Sequence, residues 1–307
     1  MIGRMAGAAA AFMLALAAHA LAQQSEAAKP IGLHAELDEG KSVTISQGAL
    51  RVRLERVKLG RRDEAPVATL FVDGKQALRL GAGLGPSVPL GSHVRILPLE
   101  KAAAHPQVVF SRYTGGAHCC AETFIAHFSA GRWSVINAGK RDGEEGFSYV
   151  DADGDGNAEM VGADNRFLYT FDSYAGSLAP TQIYNLRDGK LVEVTKEERF
   201  KPFLRAELAR MEKEANENPD AWKTNGFLAG WVAQKALLGE QAEGWQRLLK
   251  DYDRDSDWGL GCEGDDAKKR KPAECNNAEA RKKIFPRELR AFLVKNGYLT
   301  ANDSATR

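Results

Sequence analysis

Tyr149-Val-Asp-Ala-Asp-Gly-Asp-Gly-Asn-Ala-Glu-Met-Val161 decides how this chain is read. Two apolar pairs, Tyr149-Val150 and Met160-Val161, bracket a turn carrying Asp151, Asp153, Asp155 and Glu159 at positions 1, 3, 5 and 9, with Gly156 at position 6. Hard divalent cations, above all Ca²⁺, take about six to eight oxygen ligands in a flexible shell, and alternating carboxylates on a tight turn supply them. The stretch therefore predicts a metal loop set between two β-strands. An EF-hand is disfavoured. It needs a bidentate acid at position 12, where this chain has Gly162, and amphipathic helices on both flanks.

Outward from the loop, residues 42–195 carry the pattern of short strands. Val43-Thr-Ile45, Leu50-Arg-Val-Arg-Leu54 and Ala68-Thr-Leu-Phe-Val72 alternate apolar and polar side chains or are β-branched. Asp73-Gly74 is a two-residue hairpin signal before Lys75-Gln-Ala-Leu-Arg-Leu80. The region also repeats itself. Ile125 to Ile136 matches Ile183 to Val194 as strand, Gly-centred turn (Gly131, Gly189) and strand, and Pro106-Gln-Val-Val-Phe110 occupies a place like Ala158-Glu-Met-Val161. A period of roughly 50–60 residues reads as propeller blades or stacked hairpin units. Two copies, with a third around Val72 to Leu80, are too few to close a ring, so an incomplete propeller or a sandwich of hairpins is expected.

Composition changes at Thr195. Thr195-Lys-Glu-Glu198 has the form of a capping box, with Phe200, Phe203, Leu204 and Leu208 following at helical spacing. Asn218-Pro219 predicts the start of a second helix that Gly239 stops, Gln241 to Tyr252 reads as a third, and Phe285-Pro286 as the opening of a last one ending near Gly297. The expected fold class is α+β: an all-β hairpin domain over 42–195, then a helical domain over 196–300 and a tail over 301–307.

The first 22 residues read as a secretory signal: Arg4, the apolar run Ala8 to Ala18, and the small-x-small site Ala20-Leu21-Ala22. Residues 23–41 are read as a flexible lead-in. The expected location is periplasmic or secreted, with no integral membrane segment once the signal is removed, because no later run reaches about 18 apolar residues. Removing Arg4 from 42 basic and 41 acidic residues leaves the chain neutral, which argues against nucleic acid as a partner.

The 149–161 stretch resembles the calcium-binding hairpin of FG-GAP/VCBS-type repeats, whose pattern is strand, Asp-x-Asp-Gly-Asp-Gly-x-x-Asp/Glu, strand. The resemblance implies that Asp151, Asp153, Asp155 and Glu159 are side-chain ligands, that the Asn157 carbonyl fills a further place, and that Gly156 makes the sharp turn. In the neighbouring copy, Leu99-Glu100 to Pro106 keeps the position without the ligands.

Tyr113-Thr-Gly-Gly-Ala-His-Cys-Cys120 carries the second candidate site. Three readings stay open there. Cys119 or Cys120 pairs across the fold or the two close a vicinal disulfide; His118, Cys120 and His127 form a soft site for Cu or Zn; or the segment, Cys119 included, is a redox-active thiol without a C-x-x-C frame. The Gly-Gly-Ala-His-Cys-Cys string is similar to one in exported bacterial proteins and implies a shared structural theme. Cys262 and Cys275, in one polar loop of an exported chain, are expected to form a disulfide worth about 3 kcal/mol, the alternative being that each pairs with Cys119 or Cys120.

No G-x-S-x-G, H-E-x-x-H, Walker A or dinucleotide fingerprint is present. The expected role is a non-enzymatic calcium-binding module for an envelope protein or glycan. A soft-metal or thiol-redox protein, and a hydrolase with its carboxylates on the β domain, remain the alternatives.

Overall fold

The computed structural model describes residues 31–37, 42–60, 63–85, 91–115, 119–256, 258 and 278–303, and of 278–284 the backbone. His118, Cys262 and Cys275, and so the expected 262–275 disulfide, lie outside the described residues.

Strand β1 (Leu33–Glu36) is followed by three antiparallel runs of four strands. The first sheet is the meander β2 (Ser42–Gln47), β3 (Leu50–Lys58), β4 (Glu64–Val72) and β5 (Lys75–Leu80). The second is β6 (Ser92–Leu97), β7 (Gln107–Tyr113), β8 (Cys119–Ser129) and β9 (Arg132–Asp142), with β1 added beside β6. The third is β10 (Ser148–Val150), β11 (Glu159–Ala163), β12 (Thr181–Arg187) and β13 (Lys190–Glu193).

The turns explain the registers. Asp73-Gly74, Ala130-Gly131 and Asp188-Gly189 have positive φ at both residues (49° and 77°, 51° and 78°, 50° and 70°), the requirement of a type I′ turn, whose twist matches that of the strands it joins. The two segments that match in sequence fold alike: Ile125 lies opposite Ile136, and Ile183 accepts a hydrogen bond from Val194 N–H at 2.8 Å.

The period-2 alternation of side chains then stacks the sheets. Val108, Phe110 and Phe124 point from the second sheet into a core shared with Leu50, Val52, Leu54 and Leu70 of the first. Their neighbours Val109 and Ile125 point the other way, into a core with Phe147, Tyr149, Met160 and Leu186 of the third. The opposite face of the third sheet, Val150, Val161 and Ile183, packs on the helices. The second sheet is covered on both faces, which accounts for the unbroken burial of Gln107 to Arg112. The chain is an α+β fold of three stacked antiparallel sheets with a helical layer against the third.

The helices are α1 (Lys201–Glu217), α2 (Asn225–Leu237), α3 (Gln241–Asp251) and α4 (Ala278–Lys295). Three expectations about their ends are corrected. Thr195 does not cap: its hydroxyl accepts from Ile183 N–H at 2.9 Å, and a 3₁₀ turn at Glu198–Phe200 intervenes before α1. Asn218-Pro219 opens a separate 3₁₀ turn, Pro219–Lys223, and α2 begins only at Asn225. Pro286 lies inside α4; Phe285, Leu289 and Leu293, all buried on one face, carry the helix across a residue that cannot donate to the ladder. Helix α2 is buried on nearly all sides, and the segment Gly176–Leu178 passes so close that a Cβ on Gly226 or Gly230 would strike its backbone. The core of the helical layer runs through residue 195, since Val150, Val161, Ile183 and Val194 belong to it.

Candidate metal centre

The Asp151–Glu159 turn joins β10 to β11, the first two strands of the third sheet. Gly154 and Gly156 take φ of 79° and 84°, left-handed values that let the turn double back on itself. Gly156 N–H donates to Asp151 Oδ2 at 3.0 Å, Asp155 N–H to Asp153 Oδ1 at 3.1 Å, and Asn157 N–H to Asp155 Oδ1 at 2.7 Å. These are side-chain turns of the kind short acids favour.

Their effect is to converge three acids. Oxygens of Asp151, Asp153 and Glu159 lie within 4.8 Å of one another. Glu159, first residue of β11, is wholly buried; its Oε2 accepts from Ala152 N–H at 2.7 Å and its Oε1 from Asn185 Nδ2 at 2.7 Å. Burial pushes the Glu159 carboxyl up to about 7, the charges on Asp153 and Asp155 adding to the push against its two donors. Asp151 Oδ1 is buried and has no hydrogen-bond partner. A buried anionic oxygen left without a donor is costly, and a cation between these carboxylates would satisfy it. The donor set is all oxygen, which suits Ca²⁺ rather than a soft metal.

Asp155 and the Asn157 side chain make further contacts of their own. Burial raises the Asp155 carboxyl, but donors from the Asn157 backbone and side chain, with Lys101 and Arg199 nearby, outweigh it and hold the group below its usual range. Asn157 Oδ1 accepts from Lys101 N–H at 2.8 Å, and Lys101 Nζ donates to the Asp155 carbonyl. Arg199 reaches in from the 3₁₀ turn before α1. It meets Asp153 Oδ2 at 2.6 Å and Asn185 Oδ1 at 2.6 Å while its guanidinium lies 4.5 Å over the Phe200 ring. The turn is therefore the point where the second sheet, the third sheet and the helical layer meet. Lys101 and Arg199 were not legible as loop partners, since they are 54 and 46 residues away from the acids they touch.

Of the soft-metal set, His118 lies outside the described residues, and among the described ones Cys119, Cys120 and His127 are not gathered. Cys119 and Cys120 are paired with each other across a cis peptide bond. Cys119 lies opposite Asp142 and Ala121 opposite Arg141, so Cys120 is the extra residue of a β-bulge. His127 sits on the same strand about 23–26 Å away by strand rise. It is buried, with Nε2 2.9 Å from Glu100, whose other oxygen accepts from Asp188 N–H at 3.2 Å. Glu100 thereby ties the β6–β7 loop to His127 and to the β12–β13 turn.

A family model described as the sll0997 C-terminal domain matches residues 204–297, the stretch from α1 through α4. The chain is 44% identical over 218 residues to the probable thylakoid lumen protein sll0997 of Synechocystis sp., covering 69% of this chain and 62% of that protein. It is 34% identical over 265 residues to the uncharacterized protein y4bJ of Sinorhizobium fredii, covering 85% of this chain and 41% of that one. The chain thus spans less than two thirds of the length of either relative. No solved structure matches. Among the described residues no helix is long and apolar enough to cross a membrane.

Proposed function

We propose that this is an exported protein, periplasmic or in an equivalent lumen, that binds Ca²⁺ at Asp151, Asp153 and Glu159 and serves as a binding or interaction module for an envelope protein or glycan. The observation that carries the reading is the buried, unpartnered Asp151 Oδ1 beside two further carboxylates within 4.8 Å. The ion is structural. It neutralises acids that otherwise repel and so fixes the turn against Lys101 of the second sheet and Arg199 of the helical layer.

Two further points support this. The acidic turn joins the paired strands β10 and β11, the strand–turn–strand pattern that the resemblance to FG-GAP/VCBS-type repeats implies, and the copy before it places the β6–β7 loop at the same position. The name of the Synechocystis relative, a probable thylakoid lumen protein, agrees with the secretory signal read at residues 1–22. Calorimetry of the purified chain with Ca²⁺, alongside Asp153→Ala, tests the proposal. Heat from one equivalent in the wild type and none in the variant is the expected result, and a wild type with neither heat nor a thermal shift removes the reading.

A further inference from the structure

A second set of ligand-type side chains gathers at the other end of the second sheet. His34 and Glu36 are two residues apart on β1 and so share a face; His93 and Arg95 on β6 lie opposite Glu36 and His34 respectively. Leu97, two residues beyond Arg95 on that strand, belongs to the core between the second and third sheets, so this face looks toward the third sheet. From the β9–β10 connection Glu144 and Glu145 close over it. Here an apolar interface turns polar, and the residues that do it come from three separate segments.

The geometry is that of a chelate. His34 Nε2 and His93 Nδ1 are 3.2 Å apart, and two nitrogens held at about 2.0–2.1 Å on a tetrahedral ion stand about 3.3 Å apart. One oxygen of Glu145 falls within 4.8 Å of both rings. Its Oε2 is engaged by Arg95, which lies 5.1 Å over the Tyr149 ring and fixes the carboxylate as an outer partner does in metal sites. Glu36 and Glu144 group in the same way around His93. Three carboxylates against one guanidinium leave two negative charges, the complement of a divalent ion.

Burial without satisfaction is found around the pair. His93 is 3% exposed, and its Nε2 has no hydrogen-bond partner; the Tyr149 hydroxyl beneath Arg95 is buried and unpartnered as well. Buried polar atoms of this kind are rare, and each calls for a missing partner. The 3.2 Å approach to His34 uses His93 Nδ1, so the unmatched Nε2 is an unfilled place on the other side of the ring and not a ligand of the same ion. Desolvation holds both rings below their ordinary pKa, so the lone pairs are available at neutral pH.

From this we infer that His34, His93 and Glu145, with Glu36 or Glu144 completing the shell, bind a borderline-soft divalent ion of the Zn²⁺ class. The ion pins β1 and β6 to the β9–β10 connection. Nitrogen donors distinguish this site from the all-oxygen turn at Asp151–Glu159.

The test uses the full chain, stripped with a chelator and then kept in excess Ca²⁺ so that the acidic turn does not compete. It is titrated with Zn²⁺ by calorimetry and with Co²⁺ by visible absorption. One equivalent of Zn²⁺ and an intense tetrahedral Co²⁺ band are expected. His34→Gln changes an exposed side chain and should weaken uptake by more than about a hundredfold, since loss of a mere outer partner costs about 10–100-fold. Asp153→Ala should leave both readouts unchanged, which separates this site from the calcium proposal. No Zn²⁺ uptake by the wild type, or a His34→Gln protein with the same affinity and the same Co²⁺ spectrum, overturns the assignment. Should His93→Gln fail to fold, the His34→Gln result still decides.

Discussion

Asp151→Asn should make the metal-free protein more stable and abolish its response to calcium. The opposite signs are what make the test sharp. Carboxylate oxygens of Asp151, Asp153 and Glu159 lie within 4.8 Å of one another, and at an effective dielectric of about 20 a like-charged pair at that distance repels by about 3.5 kcal/mol. Removing the charge on Asp151 relieves two such pairs. Part of that relief is already taken: Arg199 holds Asp153 at 2.6 Å, and Glu159, raised to about 7, carries only part of a charge at neutral pH. Roughly 2 kcal/mol remains, which in a chain of this size raises Tm by about 4 °C. The asparagine keeps an oxygen for Gly156 N–H and puts an amide where Asp151 Oδ1 now lies unpartnered. The wild type in Ca²⁺ at about a hundredfold over its Kd should instead gain about 2.7 kcal/mol, and the variant nothing. Differential scanning calorimetry of both proteins, with Ca²⁺ and with chelator, reads all four values. A metal-free variant less stable than the metal-free wild type, with calcium raising both equally, would refute the electrostatic reasoning and leave an ordinary surface turn.

Three further outcomes concern the frame around the turn. Gly230→Ala should cost more than about 3 kcal/mol in urea unfolding, because the new methyl meets the Leu178 carbonyl and neither backbone can yield easily. Ile125→Ala, wholly buried between the second and third sheets, should lose about 2–5 kcal/mol, measured the same way. Thr195→Val should lose about 1–3 kcal/mol by stranding the Ile183 N–H. Hydrogen exchange should show the loss of protection at Ile183 rather than in the first turn of α1.

What the sequence by itself determined was local. Asp73-Gly74 and Asp188-Gly189 accept positive φ, so the hairpin registers follow from a few residues at each turn. The acids of Asp151–Glu159 are legible because residues of ligand type fall within nine consecutive positions, and Gly239 ends α2 because its φ of 79° suits glycine. Tertiary structure alone decided the rest. Thr195 has the form of a cap, yet its hydroxyl turns to a sheet strand 12 residues earlier, because burial there left the Ile183 N–H needing an acceptor. Lys101 and Arg199 enter the turn, and His34 meets His93 and Glu145, only because three sheets and a helical layer stack in one order. Contacts between residues 46 to 111 positions apart leave no periodicity, since the chain between them sets the stacking and not the spacing.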